Sequence, residues 1–125
     1  MRVMIDTTVF LAECLLPDQK YPKVFRKIVS DHTLVFPVKQ IEEIRAIMEK
    51  FFPEEADTVE LFFSGFSYEA VDFKGKRQGG YPFMDEAEKA EVRAVITLDP
   101  DMAGETVNGI RFIDPDGFLN GEADE

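Results

Sequence analysis

The stretch YPFMDEAEKAEVRAVITLDPD, residues 81–101, poses the question on which the fold turns. Its second half runs through Ala94, Val95, Ile96 and Thr97, a short apolar strand that ends on a polar residue, and then reaches Asp99. Its first half carries Asp85 at the front of a helical segment that starts near Phe83, just after Pro82. A helix feeding a buried strand is the repeating step of α/β folds.

The same alternation extends in both directions. VMI (3–5) reads as a short strand, and DTTVFLAECLL changes to helical spacing after Asp6. DQKYPKVFRKIVSD keeps the helical period through Val24, Phe25, Ile28 and Val29, and turns Lys20, Lys23, Arg26 and Lys27 outward. TLVFP (33–37) is a second buried strand. VKQIEEIRAIMEKFF (38–52) is the clearest helix, with Ile41, Ile44, Ile47, Met48 and Phe51 on one face. Pro53, Glu54 and Glu55 open a further helix to about Ser64, proline and acids both suiting a first turn. FSYEAVDF (66–73) is a third strand, KGKRQGGY a basic glycine-rich loop, and GIRFID (109–114) a last strand after a glycine-containing turn. These elements predict an α/β fold: a three-layer α/β/α sandwich around a mainly parallel sheet of about five strands. Residues 1–119 are expected to form one domain, and 120–125 a polar, frayed tail.

Composition narrows the function classes. The chain has 125 residues, 45% of them hydrophobic and twelve of them Phe, which predicts a conventional packed core. No apolar run reaches the roughly 18 residues of a membrane span, so no membrane partner is expected. The opening MRVMID lacks the features of a signal peptide. A single cysteine, Cys14, excludes an internal disulfide and a cysteine zinc site. It lies in the apolar pattern FLAECLL and reads as a buried structural thiol, so a reducing, cytoplasmic setting is the expectation. Fourteen basic residues face twenty-five acidic ones, a net charge of −11. That excess argues against coating nucleic acid with the whole surface. It leaves room for a local basic strip, bound cations or a basic protein partner.

The acids are the chemically informative feature. Asp6 directly follows the first strand and Asp99 closely follows AVIT, so both project from the carboxyl edge of a parallel sheet. Helices in such units return antiparallel to the strands, which puts their N-termini at that same edge. Asp85 and Glu43 lie near two of those N-termini. Each alone has a plain reading: Asp6 as a helix N-cap, Asp85 as a charge on the helix dipole, Glu43 as a solvated flank beside Glu42. Four carboxylates at one edge repel one another, and a hard divalent cation, Mg²⁺ or Mn²⁺, relieves that repulsion through oxygen ligands. Water activated by such a metal is suited to attack on a phosphodiester.

MRVMIDTTVFLAE resembles the opening of PIN domains: a strand, an aspartate, then small polar residues and Val. IEEIRAIME is similar to their central helix, where the acid before the aliphatic maps to Glu43. VITLDPDM resembles their strand–threonine–any residue–aspartate signature, which gives Asp99. IRFIDPDGFL is similar to the closing strand and tail of a toxin-like PIN subfamily. The resemblance covers nearly the whole chain in order, through motifs that are individually short. It implies a five-stranded parallel sheet and a metal-dependent ribonuclease, with Asp6, Glu43, Asp85 and Asp99 as metal-holding and catalytic acids. It also implies an RNA substrate, the role of toxin beside an antitoxin protein, and a homodimer.

One position departs from that pattern. Counting back without gaps from Asp99, the family's third acid falls on Tyr81, and Asp85 stands four residues later. Either the helix is one turn shorter and Asp85 takes the place, or the site has lost its third acid and serves as a non-catalytic RNA-binding or assembly module. Thr8 stands where Asn or Ser is commoner, yet keeps a hydroxyl. Asp101 reads as a turn residue, and His32 as a loop or strand-edge residue. Lys74, Lys76 and Arg77 are candidate phosphate contacts in an otherwise solvated loop. A haloacid-dehalogenase-like phosphatase fits poorly, because Asp6 is followed by Thr7 and Thr8 where that chemistry wants a second aspartate.

Overall fold

The computed structural model describes residues 1–75 and 80–124. Its strands are β1 (Arg2–Ile5), β2 (Thr33–Pro37), β3 (Glu69–Val71), β4 (Ala94–Ile96), β5 (Thr106–Val107) and β6 (Ile110–Ile113). Six α-helices lie among the described residues: α1 (Thr7–Leu15), α2 (Lys20–Asp31), α3 (Val38–Phe51), α4 (Ala56–Gly65), α5 (Met84–Lys89) and α6 (Pro115–Leu119). The sheet order is β3-β2-β1-β4-β6-β5. Every pairing is parallel except that of β5 with β6. The class is therefore α/β with a six-stranded, mostly parallel sheet.

The strand sequences explain the central position of β1. Val3, Met4 and Ile5 have no exposed surface, and neighbouring side chains point to opposite faces of the sheet. Val3 and Ile5 join one apolar cluster together with Leu34, Phe36, Ala94 and Ile96. Met4 joins a second cluster with Val35, Val95 and Phe112. Val3 pairs with Leu34 on one side and Ala94 on the other, so the register keeps both clusters continuous across the strands. The first cluster holds most of the phenylalanines. Phe10 packs edge-on against Phe62 at 4.6 Å and Phe36 at 5.8 Å, and stacks on Phe63 at 5.3 Å. No helix among the described residues is long and apolar enough to cross a membrane.

Several sequence expectations change in detail. The expected five strands become six, because Thr106–Val107 forms a two-residue antiparallel partner of β6 where a turn was expected. The third strand shrinks from 66–73 to Glu69–Val71, an edge strand with one partner, its Glu69 and Ala70 exposed and Val71 partly buried. Phe51 ends α3 and is 61% exposed, while Gln40, which reads as polar, is fully buried. Val29 is exposed, and Tyr21 fills the face of α2 instead. The helix expected from Pro53 begins as a 3-10 turn over Pro53–Glu55 and becomes α-helical only at Ala56.

The C-terminal segment, expected as a polar, frayed tail, packs against the body of the protein through Ala123 and Asp124. Asp114 caps α6 by accepting from the Gly117 N–H at 2.6 Å, and Pro115 occupies its first turn. Ala123 is buried in the first cluster, and Asp124 pairs with Lys27 at 2.9 Å. Lys27 also donates to the Phe118 carbonyl, and Lys20 lies 3.5 Å from Asp116. Two lysines expected on a solvated helix face therefore tie α2 to the C-terminal segment.

Candidate functional site

The strand order places one crevice by construction. From β1 the chain first builds outward to β2 and β3, then returns to the other side of β1 to lay down β4. The connections leave the sheet in opposite directions there, so a gap opens beyond the carboxyl ends of β1 and β4. Asp6 is the first residue after β1 and Asp99 the third after β4. Both line a cleft of about 560 Å³, together with Tyr81, Met84, Met102 and Val107.

Local hydrogen bonds fix the two acids. Asp6 is the N-cap of α1: its Oδ1 accepts from the Thr7 N–H at 2.8 Å, and its main chain accepts the first helical bonds. Its Oδ2 accepts from the Thr97 hydroxyl at 2.9 Å and, more weakly, from Thr8 at 3.4 Å. The Thr97 oxygen in turn accepts the Asp99 N–H at 3.0 Å. One buried hydroxyl therefore links both acids across the crevice. Asp99 Oδ1 accepts the Asp101 N–H at 2.9 Å, which makes Asp101 a turn residue, as the sequence suggests. Among the described residues, none of Asp6, Glu43 and Asp99 forms an ion pair with a lysine or arginine.

Tyr81 brings the other acids into the account. Its phenol is pushed well above its ordinary value, by burial first and then by the charges of Asp6, Glu43 and Glu86. Glu43, exposed on α3, therefore lies within electrostatic reach of the residue that walls the Asp6–Asp99 cleft. Asp85 is 6% exposed in the first turn of α5. Its neighbour Met84 lines the cleft and Asp85 does not. Among the described residues, no three Asp, Glu, His or Cys side chains gather closely enough to hold a metal ion together. The gap-free position of the third acid, Tyr81, thus reaches the cleft as a neutral side chain.

Two contributors escape a reading of the acids alone. Glu86 is 1% exposed and its charge reaches Tyr81. The spacing Phe83, Glu86, Ala87, Ala90 puts it on the buried face of α5, so an acid at a core-facing helical position was the available signal. Gln40, one turn before Glu43, donates to the Ile5 carbonyl at 2.9 Å and to Thr7 Oγ1 at 3.2 Å. It thereby ties α3 to the end of β1.

Other candidates stand apart from this cleft. His32 ends α2 just before β2, as expected for a strand-edge residue. Cys14 packs against the first apolar cluster, and burial pushes its thiol up to about 12, a value suited to an inert thiol. Lys74 is exposed and lies 4.0 Å from Asp72, while Lys76 and Arg77 fall outside the described residues.

The donor set suits a hard divalent cation in one specific way. Mg²⁺ is commonly held by one or two carboxylates, with water and substrate phosphate completing its shell. Asp6 and Asp99 supply two carboxylates to one cleft, and the thioethers of Met84 and Met102 that also line it are soft ligands ill suited to a hard cation. A cage built wholly from protein acids is not present among the described residues. No protein-family model matches the chain, and neither does any curated protein.

Proposed function

We propose that the chain is a PIN-type, metal-dependent ribonuclease, a three-layer α/β/α sandwich whose active cleft lies between the carboxyl ends of β1 and β4. The observation that carries this reading is the presence of Asp6 and Asp99 in one cleft at the point where the strand order reverses, linked through Thr97. Asp6 and Asp99 are the residues that would hold Mg²⁺ or Mn²⁺. Glu43 adds negative charge from α3, and Asp85 is the fourth acid that the PIN resemblance implies. When bound, the cation supplies Lewis-acid polarisation of the phosphate and an activated water.

The chain's own residues set the geometry. The α1 cap and the Thr97 hydroxyl hold the Asp6 carboxylate in one orientation, with Oδ2 turned toward the β4 end. The Asp99 main chain is anchored to the same hydroxyl. Met84, Met102 and Val107 give the cleft an apolar flank that limits water around a bound strand. The acid excess of the whole molecule keeps RNA binding local to the cleft and suits a basic protein partner, such as the antitoxin that the PIN resemblance implies. A cytoplasmic setting and a homodimer belong to the same reading.

The test is cleavage of single-stranded RNA in Mn²⁺ by the wild type and by Asp6→Asn. Cleavage by the wild type and a loss of about a hundredfold or more in the variant support the reading; equal rates end it.

One observation favours a second reading, a PIN fold that binds RNA or a partner without cutting. Tyr81 occupies the cleft wall where the pattern wants an acid. Under this reading the wild type binds RNA with no Mn²⁺-dependent cleavage.

A further inference from the structure

Tyr81 has a feature that the acids around it do not explain. Its hydroxyl is buried and has no hydrogen-bond partner among the described residues. Nine in ten buried polar atoms are paired, so an orphan on a cleft wall calls for a reason. The ring is wedged edge-on between Phe112 at 5.3 Å and Phe83 at 6.3 Å, against the second apolar cluster. That packing holds the ring against the core, while the residue lines the cleft beside Asp6 and Asp99 with its hydroxyl shielded from solvent. Three carboxylates, of Asp6, Glu43 and Glu86, act on it through their charge, yet none accepts its proton in a hydrogen bond.

An aspartate at this position would add a negative charge beside Asp6 and repel a phosphate. A phenol that stays neutral adds no charge and offers one O–H donor. A ligand suited to it is rich in acceptors, and it brings its own negative charge into an acidic cleft only where a cation balances it. A phosphodiester meets both conditions.

We infer that the Tyr81 hydroxyl donates a hydrogen bond to a non-bridging oxygen of the substrate phosphodiester, so that this cleft uses a substrate contact where a third acid was expected. The inference rests on the ribonuclease reading and names a contact within that site. It also states a consequence: Tyr81 governs the affinity for substrate and leaves that for metal alone.

The experiment compares the wild type with Tyr81→Phe, which keeps the ring wedged and removes only the hydroxyl. Thermal melting first checks that both are folded. Mn²⁺ alone is then titrated into each protein, followed by the dinucleotide UpU in Ca²⁺. The expected result is equal Mn²⁺ affinity and a loss of UpU affinity of roughly tenfold to a hundredfold in the variant, the range for a hydrogen bond to a charged group. Equal UpU binding in the two proteins overturns the inference. So does a loss of Mn²⁺ affinity as large as the loss for UpU, since the hydroxyl then serves the carboxylates. A wild type that binds Mn²⁺ but not UpU overturns the phosphate contact and leaves the metal site standing. A wild type that ignores Mn²⁺ removes the site itself, and the inference with it.

Discussion

The Thr97 hydroxyl donates to Asp6 Oδ2 at 2.9 Å, joining the carboxylate that ends β1 to the residue that follows β4. Because the same oxygen accepts the Asp99 N–H, one buried side chain ties the Asp6 carboxylate to the Asp99 main chain. Under the proposed metal-site reading, preorganisation of this kind would reduce the entropy lost in ordering the site on binding.

Thr97→Val keeps the shape of this side chain and deletes its hydroxyl. It leaves the Asp99 N–H and Asp6 Oδ2 each short of a partner at a position that is 1% exposed. The expected cost is about 1–2 kcal/mol of stability, together with weaker Mn²⁺ binding. Urea unfolding with and without Mn²⁺ measures both, and a variant matching the wild type in both removes Thr97 from the account.

Phe10→Ala probes the core that supports the site. Phe10 has no exposed surface and touches four other aromatic rings. Truncation should cost about 3–5 kcal/mol. Leu61→Ala, on a side chain 71% exposed, is the control and should stay within about 0.5 kcal/mol. Chemical denaturation of both variants checks the contrast; similar losses would mean that the aromatic cluster is not the stabilising centre.

The pH dependence of stability should carry a signature of His32. Burial lowers its pKa below 6.5, the N-terminal ammonium adds to the effect, and Asp124 opposes it. The folded state thus binds this proton less readily than the unfolded chain does. The resulting contribution is fully present above about pH 6.5 and is lost as the pH falls through the lowered folded value. Most carboxylates contribute alike to the wild type and His32→Gln, so the stability advantage of the wild type should shrink between about pH 7.5 and 5. An advantage that grows on acidification contradicts the assignment.

Much of the fold was legible because β1, β2 and β4 are short apolar runs bounded by polar residues, and a parallel sheet buries such runs on both faces. The two-residue β5 carries no periodicity of its own and exists only by pairing with β6, so a local reading returns a turn. α6 is five residues long and depends on the Asp114 cap and on packing against α2. The shared edge of Asp6 and Asp99 followed from strand direction alone. The place of Tyr81 on the cleft did not, because it depends on how its ring packs against Phe83 and Phe112. Glu86 is hidden by its neighbour Asp85 until the buried face of α5 is known.

The central claim is that Asp6 and Asp99 hold one divalent cation between them, and the Mn²⁺ dependence of the thermal midpoint tests it most directly. At a hundredfold excess over its dissociation constant, a native-state ligand adds about 2.7 kcal/mol, a rise of roughly 10 °C for a chain of this size. The account predicts that rise for the wild type and its loss in both Asp6→Asn and Asp99→Asn. A wild-type midpoint indifferent to Mn²⁺, or an equal rise in the two variants, contradicts it.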